Sequence, residues 1–173
     1  MLSYRHGFHA GNHADVIKHV LLVQLTRYLG QKDKPFWFID THAGAGRYAL
    51  DSAQASKLAE HRQGIDRLWQ RRDLPAAVAE YVELVRRFNP DGRLQIYPGS
   101  PALALATLRA DDRLRLYELH SRDVLRLREN FAAHARQVIV EAADGFSALK
   151  ALLPPPPRRA LVLIDPAYEE KRD

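Results

Sequence analysis

Two segments of this 173-residue chain are built alike. Ile39-Asp40-Thr41-His42-Ala43-Gly44-Ala45-Gly46-Arg47 and Leu161-Val162-Leu163-Ile164-Asp165-Pro166-Ala167-Tyr168 each close a short apolar run with an acid and a turn. A buried parallel strand reads this way, because both faces are covered and polar groups emerge only at its carboxyl end. The carboxyl edge of an open α/β sheet is where ligands bind, so both turns are expected at one site.

The first turn is glycine-rich, which lets backbone amides approach a ligand closely beside the next helix terminus. The second offers the Asp165 carboxylate, the Pro166 carbonyl and the Tyr168 ring together. Acceptors for amino hydrogens beside a stacking ring are what a planar base with an exocyclic amine requires.

Along the chain, Asn12 and Asp15 make a capping-box-like start for a helix expected to carry Ile17, Val20, Leu21, Leu25, Tyr28 and Leu29 inward, with Gly30 as its stop. Strands are expected from about Phe36 to Asp40, Leu114 to Glu118, Val138 to Glu141 and Leu161 to Ile164. Helical stretches such as Asp123 to Phe131 and Phe146 to Leu152 separate the later ones, and that alternation predicts a parallel sheet. Between the first two strands a helical insertion is expected over about 50–94, one helix holding Leu58, Ile65, Leu68 and Trp69 and a second holding Val78, Tyr81, Val82, Val85 and Phe88.

Gly44 to Ala49 also fits the G-x-G-x-x-A dinucleotide fingerprint, which would imply a nicotinamide oxidoreductase. That fingerprint needs a second strand tipped by an acid about 20 residues on. The chain instead has the helical Glu60 to Arg67 there, and its next acid-tipped strand ends at Glu118, placed to accept hydrogen bonds from a ribose. An amine-gripping turn after the last strand favours methyl transfer over hydride transfer.

Composition fits a single compact domain over 1–173. The longest apolar stretches are strand-sized and the N-terminus lacks a signal-peptide pattern, so a cytoplasmic address without membrane insertion is expected. Absence of cysteine excludes disulfide frameworks and thiolate metal sites. His6, His9, His13 and His19 could suggest zinc, but no cysteine or acid set completes a tetrahedral site, so no metal is expected. The net charge of +5 favours a polyanionic partner, although a solvated face of mixed charge explains it equally well.

The opening Met1 to His6, Phe8 to Asp15, Asp40 to Tyr48, Tyr97 to Pro101 and Asp144 to Phe146 closely resemble the RlmJ family, and the similarity runs along the entire chain. Members of that family are S-adenosylmethionine-dependent adenine-N6 methyltransferases acting on 23S ribosomal RNA. The resemblance implies a Rossmann-like class I methyltransferase fold, here expected to be truncated after its fourth strand with the C-terminal part of the domain missing. It implies cofactor contacts at His19, His42, Ser100, Glu118, Asp144, Gly145 and Asp165. Asp165 is also implied as the catalytic proton acceptor, and Tyr4, His6, Pro166 and Tyr168 as contacts to the RNA, with a monomer as the expected state. Ala167 stands where the family usually has a second proline, which frees the turn but leaves Asp165, the Pro166 carbonyl and Tyr168 in place.

Each residue also has a structural reading. Ser100 could cap the helix that Pro101 opens, Asp144 could stabilise a turn, Glu118 could be a surface acid, and Asp40 could either meet the cofactor's positive region or brace the glycine loop. Beyond the rRNA adenine reading stand a methyltransferase for DNA adenine or rRNA guanine, and a non-catalytic RNA-binding fragment.

Overall fold

The computed structural model describes residues 7, 9–52 and 58–166. Helix α1 (His13–Gly30) leads into strand β1 (Trp37–Asp40). Strand β2 (Arg47–Ala49) is followed by a 3₁₀ turn (Glu60–Gln63), helix α2 (Asp66–Trp69), helix α3 (Ala76–Arg86) and strand β3 (Ile96–Pro98). Helix α4 (Ser100–Thr107), strand β4 (Arg113–Tyr117), helix α5 (Ser121–Phe131), strand β5 (Val138–Glu141), helix α6 (Gly145–Leu152) and strand β6 (Ala160–Leu163) complete the order.

The expected parallel sheet is present, in the order β5-β4-β1-β6. Asp40 at the end of β1 is level with Leu116 of β4 and Leu163 of β6, so Glu118 and Asp165 emerge together just beyond the same edge. From β1 the chain steps outward to β4 and β5, then returns to lay β6 on the other side of β1, creating the topological switch point at which α/β sheets hold ligands. Phe38, Leu114 and Leu116 have no exposed surface, and with Leu103, Leu127 and Val85 they form one core. This is a Rossmann-like arrangement.

The antiparallel pairing of β2 with β3 was not legible in the sequence, because three-residue strands are too short to show a period. Between these arms the chain is helical, but the first expected helix is broken. A side chain at Gly64 would place its Cβ 2.1 Å from the Gly11 carbonyl oxygen, and this close backbone approach interrupts the helix between the 3₁₀ turn and α2.

Helix α1 corrects a second expectation. Ile17, Leu21, Leu25 and Tyr28 are exposed, and Asp15, His19, Leu22, Val23 and Thr26 face inward. Apolar residues surround this helix, so periodicity cannot choose its inner side. The choice follows polar partners instead: Gly11 N donates to Asp15 Oδ2 at 2.9 Å, His19 Nδ1 lies 2.8 Å from the Tyr97 hydroxyl, and the Thr26 hydroxyl bonds the Leu22 and Val23 carbonyls. Asn12 caps the helix as expected, its side chain accepting from Asp15 N. Among the described residues no helix is long and apolar enough to cross a membrane.

Candidate active site

Past β1 the backbone turns through left-handed glycines at Gly44 and Gly46 and is tied to both neighbouring strands. The Thr41 amide and hydroxyl both donate to the Leu163 carbonyl, at 3.1 and 3.0 Å, and Ala43 N donates to the Tyr117 carbonyl at 2.9 Å. A cleft of about 700 Å³ opens above this edge. Of the residues expected at the site, His19, His42, Ser100, Glu118, Asp144, Gly145, Asp165 and Pro166 all line it. Tyr4, His6, Ala167 and Tyr168 lie outside the described residues.

Glu118 is held in place by backbone. Its Oε2 accepts from Gly44 N at 2.8 Å and its Oε1 from His120 N at 2.7 Å. Each oxygen keeps a second lone pair, so the carboxylate can still accept hydroxyl hydrogens. Asp144 caps α6, accepting from the amides of Phe146 and Ser147 and, at 2.5 Å, from the Ser147 hydroxyl. The Ser147 hydroxyl bond holds its carboxyl below the usual aspartate range. Gly145 is required by contact: a Cβ there would lie 2.4 Å from the Thr41 carbonyl oxygen, so only glycine brings α6 against the end of β1. The Phe146 ring then meets His42 edge-on at 5.1 Å.

Ser100 does not cap its helix. Gly99 occupies the cap position, and the Ser100 hydroxyl donates to Asp40 Oδ2 at 2.7 Å. With its hydrogen committed, the Ser100 oxygen presents acceptor character to the cleft. Asp40 is fully buried and is not among the cleft-lining residues, and its Oδ1 accepts from His42 N at 3.1 Å, so it braces the loop. Burial pushes its carboxyl up to about 6 despite the Ser100 and His42 hydrogen bonds.

The arrangement around Asp165 could not be read from the sequence. Lys18 Nζ, reaching across from α1, lies 2.5 Å from Asp165 Oδ2 and 2.8 Å from Asp15 Oδ1. Burial alone would favour loss of the Lys18 proton, but the two carboxylates outweigh it and hold the ammonium more firmly than usual. His19 is the first member of a buried chain in which its Nδ1 meets the Tyr97 hydroxyl, itself 2.9 Å from the Tyr81 hydroxyl. Among the described N-terminal histidines, His9 and His19 do not converge: His9 pairs with Glu60 at 3.0 Å while His19 points to Tyr97. Among the described residues no three metal-ligating side chains are grouped.

The geometry supplies a ribose-type acceptor, a glycine loop and an acceptor-rich turn around one cleft. A family model described as "Ribosomal RNA large subunit methyltransferase D, RlmJ" matches residues 33–173. The chain is 54% identical over 173 residues to "Ribosomal RNA large subunit methyltransferase J" of Escherichia coli (strain K12), spanning all of this chain and 61% of that protein. It is 49% identical over 174 residues to the protein of the same description from Haemophilus influenzae, spanning 62% of it. A crystal structure of a protein from Legionella pneumophila superposes with a TM-score of 0.85 at 42% identity, over 93% of this chain and 59% of that one. The chain thus spans about three-fifths of the length of the relatives it matches.

Proposed function

The chain belongs to the family described as ribosomal RNA large subunit methyltransferase D, RlmJ, and from that premise we propose that the protein methylates the N6 amine of an adenine in 23S ribosomal RNA, with S-adenosylmethionine as donor. The observation that carries this reading is the meeting of Asp165 and Pro166 with Glu118 and the glycine loop at one cleft. A ribosomal RNA substrate places the work in the cytoplasm.

The residues fit the donor. Glu118, oriented by two amides, accepts from ribose hydroxyls, and Asp144 at the head of α6 accepts from an adenine amine. The Ser100 oxygen, its hydrogen directed to Asp40, accepts from an ammonium, and His19 and His42 line the same cleft. S-adenosylmethionine bound there supplies an electrophilic methyl group.

The rest of the chemistry belongs to the chain. An adenine amine is a poor nucleophile because its lone pair is delocalised into the ring. Asp165, with Oδ2 held by Lys18, offers Oδ1 to one amine hydrogen, and the Pro166 carbonyl accepts the other. Drawing both hydrogens toward acceptors pyramidalises the nitrogen and turns its lone pair toward the methyl group. Forming the nitrogen–carbon bond would break the donor's sulfur–methyl bond and release S-adenosylhomocysteine, a neutral thioether, while nitrogen would give a proton to Asp165. The family resemblance gives Tyr168 the role of stacking on the target base, and Tyr4 and His6 that of contacting the RNA. Fixing nucleophile and methyl group in line gives effective molarities on the order of 10⁵ M or more.

Incubating the protein with methyl-labelled S-adenosylmethionine and unmodified 23S RNA, then digesting to nucleosides, tests the reading. Label in N6-methyladenosine supports it. Label in a guanine amine, or donor binding with no transfer, overturns it in favour of a different amine or a binding module.

A further inference from the structure

We infer that a second cleft, beside the first, grips the phosphodiester backbone of the RNA next to its target nucleotide; this rests on the RNA substrate proposed above. The cleft has a volume of about 310 Å³ and lies between β2 and α5. Arg47 enters it from β2 and Arg126 from α5, with Gly7 of the N-terminal segment, Glu129 and Asn130 also contributing to the lining. Tyr48 lines both clefts, so a single aromatic residue forms a wall of each.

Charge identifies the occupant. Among the described residues neither Arg47 nor Arg126 forms an ion pair with a carboxylate, and Glu129 is the one acid lining this cleft. Two arginines against one glutamate leave the lining with net positive charge, which favours an anion as occupant. Their planar forks match phosphate oxygens in pairs, which a compact ammonium does not.

Position identifies the polymer. Arg47 lies over the Phe88 ring at 5.3 Å, next to the exposed Arg87, and the exposed Arg122 stands one helical turn before Arg126. Positive charge therefore continues out of the cleft in both directions, as a chain of phosphates requires and a lone anion does not. The cleft is also fixed relative to the donor site. Asn130 Nδ2 donates to the Ala45 carbonyl in the glycine loop at 2.9 Å, and Leu127 and Phe131 are buried beside it. A phosphate held here sets how far the adjoining nucleotide can reach toward Asp165.

Salt-dependent binding of a labelled 23S-derived RNA hairpin tests this, using the full chain, the R47Q and R126Q variants, and their combination. K32Q, an exposed charge at the opposite end of the sheet, is the control. Circular dichroism and S-adenosylmethionine binding should match the parent in all of them. Each substitution is expected to weaken RNA binding about tenfold, and the pair to flatten the slope of log K against log salt by about 1.5. K32Q should leave both unchanged. Inorganic phosphate at millimolar level should not displace the RNA, since it contacts one point of the track. A double variant with parental affinity and slope, while the parent methylates RNA, overturns this inference and leaves the proposed function standing. Equal loss of polyglutamate binding overturns the phosphodiester assignment, and a parent that binds no RNA overturns both readings.

Discussion

At the scale of single residues, the site is organised by acids with different tasks. Asp40 never reaches the cleft, yet its full burial raises its carboxyl to about 6, against about 3.9 for an aspartate in an unfolded chain. The folded state thus binds this proton more tightly than the unfolded state. Asp40 favours folding fully below about pH 4, and that contribution is lost as pH rises through about 6, a difference of about 3 kcal/mol. Asp40→Asn keeps both hydrogen bonds, with Oδ1 accepting from His42 N and Nδ2 donating to the Ser100 oxygen. Denaturant unfolding should find D40N more stable than the parent at about pH 8 and equal to it at about pH 4. Equal stability at both pH values would show that Asp40 carries no burial cost.

Residues also differ in how plainly they announced themselves. Asp165 was legible because it follows an apolar run at a strand end, and Glu118 because it tips the next expected strand of the sheet. The Lys18–Asp165 bridge was not, because its members are 147 residues apart and a lysine on a helix ordinarily reads as a solvated charge. The Asp40–Ser100 bond, spanning 60 residues, was hidden for the same reason, so Ser100 read as a cofactor contact or a helix cap and not as a partner of Asp40.

At the scale of elements, two contacts set the site's shape. Helix α6 approaches β1 only because position 145 has no side chain. Gly145→Ala should push the helix back from the Thr41 carbonyl and destabilise the fold by about 2 kcal/mol. Donor affinity should fall severalfold with it, read by isothermal titration. Unchanged affinity and melting temperature would show that the approach is not needed.

Helix α1 provides the complementary test. Leu21→Gln and Leu25→Gln lie on its exposed face and should each change stability by less than about 0.5 kcal/mol. Leu22→Ala, from its buried face, should cost about 3 kcal/mol. The reverse ranking would mean that the helix faces the other way. Element types were legible here, but the inner face of α1 was not, because its buried side includes the polar Asp15 and His19, and the His19 partner Tyr97 lies 78 residues away.

At the scale of the whole molecule, a parallel sheet ordered β5-β4-β1-β6 collects loops from four strand ends at one edge, and the described site residues come from those ends, from α1 and, for Ser100, from the start of α4. This architecture was readable from the alternation of apolar runs with helical stretches. The β2-β3 pairing that brackets the inserted helices was not, because its strands are too short to carry a pattern. The proposed function rests on one step, in which a carboxylate at the tip of β6, steadied by an ammonium from α1, would receive a proton from a nucleobase amine. The most direct measurement is single-turnover methyl transfer to 23S RNA by the parent and by Asp165→Asn, with donor binding measured in parallel. Expected are donor binding within severalfold of the parent and a rate lowered by about 10² to 10⁴, with N6-methyladenosine as the residual product. Transfer by D165N at close to the parental rate would contradict it.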